Sequence, residues 1–279
     1  MIAQRPFGER LRQWREQRRL SQLELALQAE VSTRHLSFVE TGRASPSREM
    51  VLRLAEHLEV PLRERNELLL SAGFAPAYHE TAVDAPPMSA VREALRQVLT
   101  GHEPYPALVF DRQWNFVDAN RPMLLFTQDL PAELLEPPIN VLRASLHPRG
   151  LAARIVNLAE WRGHLLERLR RQVALTADSE LAALYEELRD YPGQPTANVV
   201  PEHGAVVLPL RVRSEFGELA FFSMVSSIGT PIDITVSELV IESFFPADPH
   251  TAAVLHKSFP TTHQTASYTA ARELPGRKT

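Results

Sequence analysis

Apolar residues recur at helical spacing through the first quarter of the chain. Phe7, Leu11 and Trp14 lie three or four residues apart, and arginines occupy the opposite face. The segments that follow have similar apolar stripes, and each begins with a residue that suits a helix N-terminus: Ser21, Ser32, Ser47 and Pro61. The pattern predicts five short helices within residues 6–74.

The connection between the second and third predicted helices contains no glycine. A turn as short as residues 29–32 usually places one residue at positive φ, and glycine does this without steric cost. Here the place belongs to Glu30, for which a left-handed conformation costs on the order of 1 kcal/mol. We therefore expect a left-handed or strained Glu30, or a turn rearranged to avoid it.

The periodicity changes twice in the rest of the chain. Residues 107–111 and 114–118 predict two short strands, residues 120–190 are mostly helical, and about three strands rich in β-branched and aromatic residues follow residue 205. This order favours one antiparallel sheet with helices on one face. The predicted fold class is therefore α+β, with a helical N-terminal domain and a mixed C-terminal domain.

Proline content and residue type suggest the domain boundaries. Residues 75–88 contain three prolines and read as a linker. We predict a helical domain over residues 1–74, a second domain over 89–257 and a weakly ordered tail over 258–279. Two domains also suit a length of 279 residues.

Composition narrows the class of protein. Hydrophobic residues make up 44% of the chain and there are no cysteines, which excludes disulfides, thiolate metal sites and a cysteine nucleophile. We find no apolar signal segment and no stretch of about 18 apolar residues, so the expected location is the cytoplasm, without a membrane partner. The net charge of −4 divides unevenly: residues 1–58 carry ten Arg against seven Glu, and the remainder carries 20 Lys+Arg against 27 Asp+Glu.

The basic N-terminal segment has the parts of a DNA-reading helix-turn-helix. One helix must cross the DNA backbone, and the next must present polar residues at its N-terminal end to the major groove. Gln22 begins the first helix of the pair, where its amide and the helix N-terminus can meet a phosphate. The candidates for DNA contact are Gln22, Thr33, Arg34, His35, Ser37 and Arg43, of which Arg34 can donate two hydrogen bonds to guanine.

Several motifs agree in order and spacing over about 60 residues: Ser21-Gln22, Leu25-Ala26, Val31-Ser32, Leu36, Glu40, Gly42 and Pro46. In these the segment resembles the Xre/Cro family of lambda-repressor-like helix-turn-helix domains. The resemblance implies a structural ion pair between Arg15 and Glu40. It also places Phe38 at a position that often faces DNA, where it could pack on a thymine methyl group or turn into a neighbouring surface.

The second domain is rich enough in aromatic residues to line an apolar cavity or to fill an ordinary core. The aromatic candidates are Phe110, Trp114, Phe116, Phe126, Trp161, Phe221 and Phe222. An apolar cavity with few polar groups suits an acyl chain, and a carboxylate would need an arginine or a pair of donors. The candidates for such a head group are His147, Arg154 and Asn157. Structural roles for His147 and Asn157, as a helix cap and a backbone partner, stay open.

"LVFDRQWNFVDAN" followed by a helix resembles the opening of a PAS domain, in which Asn120 would cap the first helix of the pocket. Further motifs extend the likeness over residues 5–256: "HP" at 147–148, Asn157, "GTP-D-T" at 229–235 and "FFPAD" at 244–248. The chain in these respects resembles the MmyB-like regulators. That resemblance implies an Xre-type head, a PAS-like ligand-binding domain and a small apolar ligand such as a fatty acid, with no required cofactor and no metal.

Two functions of different classes remain. The first is a ligand-responsive, sequence-specific transcription regulator that binds double-stranded DNA as a homodimer. The second is a protein-interaction or antitoxin-like module that does not depend on a small ligand. We expect no enzyme, because the chain has no HExxH, G-x-S-x-G, Walker or Rossmann glycine pattern.

Overall fold

The computed structural model describes residues 6–176, 178–192 and 207–260. The chain divides into two compact units. The first consists of residues 1–89 together with 228–238, and the second of residues 90–227 together with 239–279. The predicted tail over 258–279 lies outside the described residues beyond position 260.

Five helices form most of the first unit, as predicted. They are α1 (Phe7–Gln17), α2 (Gln22–Gln28), α3 (Thr33–Glu40), α4 (Arg48–His57) and α5 (Leu62–Ser71). The hydroxyls of Ser21, Ser32 and Ser47 accept hydrogen bonds from the third amide of α2, α3 and α4. The Glu24 carboxylate in turn accepts a hydrogen bond from the Ser21 amide and completes a capping box.

All five helices end in the same way. The second residue after each helix has a positive φ: Arg19, Glu30, Gly42, Glu59 and Gly73. Each of these ends has the paired backbone bonds of a Schellman motif, for example from Glu30 N to Leu27 O and from Val31 N to Ala26 O. Glu30 has φ 54°, so the predicted left-handed turn is confirmed.

The core of the first unit is closely packed around α1 and α3. Leu11, Leu25 and Leu36 are fully buried in one apolar cluster. A Cβ atom added to Gly8 would overlap the carbonyl oxygens of Val39 and Glu40, so the approach of α1 to the end of α3 requires glycine.

The second unit contains helices around one sheet. Its helices are α6 (Ser89–Gly101), α7 (Leu124–Thr127), α8 (Val141–Leu146), α9 (Leu158–Thr176), α10 (Ser179–Arg189) and α12 (Pro249–Ser258). The remaining helix, α11 (Ile234–Glu238), is part of the first unit. The strands of the second unit are β1 (Ala107–Phe110), β2 (Phe116–Ala119), β3 (Leu210–Ser214), β4 (Gly217–Ser227) and β5 (Val240–Pro246). Helix α11 lies between β4 and β5 in the sequence, although residues 228–238 belong to the first unit.

The five strands form one antiparallel sheet in the order β2-β1-β5-β4-β3. Hairpins join β1 to β2 and β3 to β4, and β5 returns to the centre of the sheet. The α+β class is thus as predicted, but β1 is buried on both faces, whereas the sequence suggested one covered face. No helix among the described residues has the length and apolarity needed to cross a membrane.

Residues 75–88, read from the sequence as a linker, are held within the first unit. The Asn66 side chain of α5 accepts hydrogen bonds from the amides of Ala77 and Tyr78 at 2.8 and 3.1 Å. It also donates to the Tyr78 carbonyl oxygen at 2.8 Å. Prolines make this segment irregular, but a buried asparagine replaces the hydrogen bonds that a helix or strand would supply.

Candidate DNA-binding surface and ligand cavity

The N-terminal turns of α3 present most of the predicted DNA-contact residues. Ser32 caps the helix by accepting a bond from the His35 amide at 3.1 Å. Arg34 and His35 are exposed, and Thr33 is half-buried. Leu36 and Val39 are buried on the opposite face of α3. The packing of α3 therefore fixes which side chains can reach a partner.

Phe38 has an intramolecular partner. It is half-buried, and the Arg34 guanidinium carbon lies 5.4 Å from the centre of its ring. The two residues are one helical turn apart, a spacing that brings side chains together, and the contact is of the cation–π type. Phe38 can thus orient the arginine that is expected to read guanine.

Gln22 and Arg43 flank α3 in different ways. Gln22 is half-buried, and its side-chain amide donates to Glu40 at 2.8 Å. Arg43 follows the left-handed Gly42 and is exposed. Ser37 is half-buried on α3, and its carbonyl oxygen accepts a hydrogen bond from the Thr41 hydroxyl at 2.8 Å.

The ion pair implied by the family resemblance is present. Arg15 donates from Nε and Nη2 to the two Glu40 oxygens at 2.6 and 2.9 Å. The Glu40 side chain is 2% exposed and that of Arg15 10%. The pair therefore joins α1 to the end of α3 and is not available to DNA.

A cavity of about 480 Å³ lies in the second unit. Its wall is mostly leucine and aromatic side chains, a lining that suits an apolar ligand. The lining residues are Leu108, Trp114, Phe116, Ala119, Asn120, Arg121, Met123, Leu124, Phe126, Thr127, Leu130, Leu135, Ile139, Val141, Leu142, Ala144, Ser145, Leu151, Trp161, Leu165, Leu210, Glu242 and Phe244.

Half of the ligand residues predicted from the sequence line this cavity. They are Trp114, Phe116, Asn120, Phe126 and Trp161. Asn120 is fully engaged there: its side chain accepts from Ala107 N at 2.9 Å and donates to Leu99 O and Tyr105 O at 3.0 and 2.8 Å. It ties β1 and β2 to the end of α6 and forms no side-chain cap at its own helix.

Three of the predicted aromatic residues, Phe110, Phe221 and Phe222, lie outside the lining. Phe110 stacks behind Trp114, with ring centres 4.7 Å apart. Phe222 stacks on Phe245 at 5.4 Å. Because strand residues alternate between faces, Phe222 points away from Phe221, which packs with Phe126 at 5.3 Å.

The three predicted head-group residues also lie outside the lining. Each of them instead forms hydrogen bonds with backbone groups. Arg154 donates to Leu125 O at 2.8 Å and Arg213 O at 3.0 Å. Asn157 donates to Pro209 O at 2.8 Å and accepts from Arg211 N at 3.1 Å. His147 accepts from Arg149 N at 3.1 Å.

Sequence reasoning overlooked the two charged residues that do line the cavity, Arg121 and Glu242. Glu242 is buried and accepts from Arg168 at 3.2 Å. The Arg168 guanidinium carbon lies 4.5 Å from the Trp114 ring centre. The sequence contained one indication of Glu242, which is a glutamate within the apolar strand sequence "VIESFF". Charged side chains are seldom fully buried unless they are paired. Among the described residues no cluster of His, Asp and Glu could hold a metal ion.

Comparison with protein families supports both halves of this description. Residues 91–257 match the model of the MmyB-like transcription regulator ligand binding domain. Residues 6–68 match a helix-turn-helix domain model. No curated protein matches the chain.

Proposed function

We propose that this chain, which belongs to the MmyB-like transcription regulators, is a ligand-responsive and sequence-specific regulator that binds DNA as a homodimer. The observation that carries the proposal is an apolar cavity of about 480 Å³ in a domain linked to a helix-turn-helix. The matched families describe binding domains, and the proposal includes no catalytic step.

The proposed ligand is a fatty acid or a similar lipid, bound in the PAS-like second domain. Cavities of roughly 300–1,000 Å³ with apolar walls and few polar groups hold small ligands in proteins. The wall here has that character, since leucine and aromatic side chains dominate it. A required cofactor is not part of the proposal.

The proposed DNA contact is the exposed N-terminal part of α3, with Arg34 reading a base edge and Arg43 meeting a phosphate. One module of this size buries too little surface for tight specific binding, so a dimer would read two half-sites about one helical turn apart. The ligand would act by favouring one arrangement of the two heads, which requires different affinity for the two states.

The ligand proposal is tested by extracting small molecules from the purified protein and identifying them by mass spectrometry. We expect a lipid in near-stoichiometric amount, and a rise of the melting temperature when dodecanoate is added to stripped protein. A protein that releases no lipid and whose melting temperature ignores dodecanoate would contradict the proposal.

The DNA proposal is tested by titrating the protein with DNA from its own promoter at several salt concentrations. We expect affinity to fall with salt. Arg34→Ala should lower the preference for specific over random DNA by about 1–3 kcal/mol. Arg12→Ala is the matched control, because Arg12 is an exposed arginine of α1 paired with Glu16 at 2.7 Å. Absence of any DNA binding would favour the protein-interaction module instead.

A further inference from the structure

The cavity has a charge at its opening and the opposite charge in its wall. Arg121 is the one cationic side chain among the described residues that line it. Arg121 is exposed, as are its lining neighbours Phe116 and Leu124, so these three mark the side on which the cavity meets solvent. The Arg121 backbone amide donates to the Glu103 carboxylate at 3.4 Å. Within the described part of the chain, the Arg121 guanidinium itself has neither a hydrogen bond nor an ion pair.

Glu242 lies deeper and is the one anionic side chain among the same residues. It is buried on β5, opposite Leu108 of β1, which in turn pairs with Ala119 of β2. Two strand spacings separate Glu242 from Ala119, about 10 Å, and Arg121 follows Ala119 by two residues. The two charges are therefore held at different depths.

We propose that these two charges orient an anionic amphipathic ligand, with its carboxylate at Arg121 and its apolar chain directed inward. This rests on the proposed function of the cavity. Arg168 already pairs with Glu242 at 3.2 Å, and Arg121 is the one cation among the described lining residues. A carboxylate placed at the inner end would therefore add a second negative charge beside Glu242 without a cation of its own in the lining, which is unfavourable in apolar surroundings. At the opening, the same carboxylate meets an unpaired guanidinium, a geometry that suits charge-assisted hydrogen bonds. Arg121 is thus the specificity residue that sequence reasoning sought at Arg154.

The test compares dodecanoate with 1-dodecanol, which has the same chain without the charge. Affinities are measured by calorimetry for the full-length wild-type protein, for Arg121→Gln and for Arg149→Gln. Arg149 is an exposed arginine paired with Glu133, and it does not line the cavity. Arg121→Gln should weaken dodecanoate by about fivefold, the range of a partly exposed ion pair, and leave dodecanol unchanged. Arg149→Gln should change neither.

Glu242→Gln supplies the second arm. It removes the inner negative charge, so dodecanoate should bind at least as tightly as to wild type, with dodecanol unchanged. Equal losses for both ligands in Arg121→Gln, or no loss for dodecanoate, would overturn the assignment. Failure of both ligands to bind the wild-type protein would instead overturn the proposed function of the cavity.

A separate observation concerns residues 228–238, which lie between β4 and β5 in sequence but belong to the first unit. The Ile234 amide donates to His79 O at 2.8 Å. Thr81 donates from its hydroxyl to Asp233 at 2.7 Å. Ile234 and Val236 are buried. These contacts make the segment part of the unit that contains the helix-turn-helix.

An ion pair joins the end of this segment to α5. Arg63 donates from Nε and Nη2 to Glu238 at 2.8 and 2.9 Å, and Nη1 donates to Glu80 at 3.0 Å. Two residues after Glu238 the chain enters β5, in which Glu242 and Phe244 line the cavity. Only three residues separate Glu238 from Glu242.

We infer that residues 228–238 transmit the state of the cavity to the helix-turn-helix unit. The inference rests on the proposed ligand response. A ligand that shifts Glu242 or Phe244 moves β5. In the chain, the start of β5 follows residues 228–238, which Arg63 holds through Glu238. Two arrangements of that segment with different ligand affinity would give the coupling that such a response requires.

The test is a thermodynamic cycle in the full-length protein. DNA affinity is measured with and without dodecanoate for wild type, Glu238→Gln and Glu80→Gln. Both glutamates pair with Arg63, but only Glu238 belongs to the inserted segment. We expect Glu238→Gln to reduce the ligand-induced change in DNA affinity by about three- to fivefold, and Glu80→Gln to preserve it. Each variant should still bind DNA and dodecanoate separately.

Hydrogen exchange provides an independent measurement. Dodecanoate should change the protection of the Ile234 amide in wild type and change it less in Glu238→Gln. A full ligand effect in Glu238→Gln, or an equal loss in Glu80→Gln, would overturn the inference. If both partners bind wild type but the ligand leaves DNA affinity unchanged, the ligand-responsive function itself fails.

Discussion

The two units differ in how closely their apolar side chains pack. In the first, five short helices close around a core in which even Gly8 cannot accept a methyl group. In the second, a comparable set of leucines and aromatic residues surrounds about 480 Å³ of space. Both units are rich in Leu, so composition does not distinguish them.

The difference follows from what each unit presents to a partner. A DNA-reading helix must hold a few side chains in fixed positions, and tight packing behind α3 provides that rigidity. A ligand-binding domain must hold the walls of its cavity open. A sheet backed by helices can do this, because the hydrogen bonds between its strands do not depend on a filled interior. Substitutions that remove or add atoms should therefore affect the two units differently.

The largest effect is expected at the buried ion pair of the first unit. Glu40→Ala leaves Arg15 buried without its carboxylate, and the loss of unfolding free energy should be about 3–5 kcal/mol. Urea titration followed by circular dichroism measures it. The double variant Arg15→Met/Glu40→Leu should recover much of the loss. A cost for Glu40→Ala below about 1 kcal/mol would mean that the pair is dispensable.

Truncation of a leucine tests the contrast in packing directly. Leu36 is fully buried in the first core and Leu151 is buried in the cavity wall. Leu36→Ala should cost about 3–4 kcal/mol and Leu151→Ala about 1.5–2.5 kcal/mol, because a wall residue has fewer neighbours to lose. Chemical denaturation of both variants gives the two values. Equal costs would break the comparison.

Addition of atoms should show the contrast with the opposite sign. Gly8→Ala forces a Cβ atom into the Val39 and Glu40 carbonyl oxygens and should destabilise by about 1–3 kcal/mol. Ala144→Leu, which projects from the cavity wall, should change stability by less than about 1 kcal/mol and weaken dodecanoate binding. Melting curves and ligand titrations distinguish these outcomes, and a destabilised Ala144→Leu would argue for a closed core there.

A smaller gain is expected at the turn before α3. Glu30→Gly removes the steric cost of φ 54° and should stabilise by about 0.5–1 kcal/mol, after allowing for the greater freedom of glycine in the unfolded chain. Glu93→Gly, in the exposed interior of α6, is the matched control and should destabilise by about 1 kcal/mol. Thermal melting should therefore shift in opposite directions, and shifts of the same sign would refute the strain argument.

Acid should weaken the second unit through His102. Burial lowers the pKa of His102, and its hydrogen bond with Phe244 O only partly offsets this. As the pH falls below about 6.5 the unfolded chain binds a proton before the folded one does. The stabilisation is therefore present above that pH and is lost as the pH falls through the folded pKa. His102→Gln should flatten the dependence of unfolding free energy on pH between about 7 and 5, and an unchanged slope would contradict it.

Local features could be predicted well from the sequence. The caps at Ser21, Ser32 and Ser47 and the left-handed Glu30 involve groups within about five residues of one another, so residue type and spacing suffice. The strand segments were also recognisable, because β-branched and aromatic residues are concentrated there.

The candidate site was harder, because several side chains could satisfy one chemical description. Arg154 and Arg121 look alike in the sequence, but Arg154 is held by the carbonyl oxygens of Leu125 and Arg213. Phe221 and Phe222 are adjacent, and only strand register decides which one faces the interior. Residues 75–88 read as a linker because nothing in their own composition reveals the partner Asn66.

The sequence by itself determined the helix-turn-helix, the α+β class and the family, since these depend on short-range patterns and ordered motifs. Only the tertiary structure decided which charges face the cavity and that residues 228–238 join the first unit. The physical reason is that a side chain's availability depends on its partners, and the partners of Arg154, Glu242 and Glu238 lie far away in the chain.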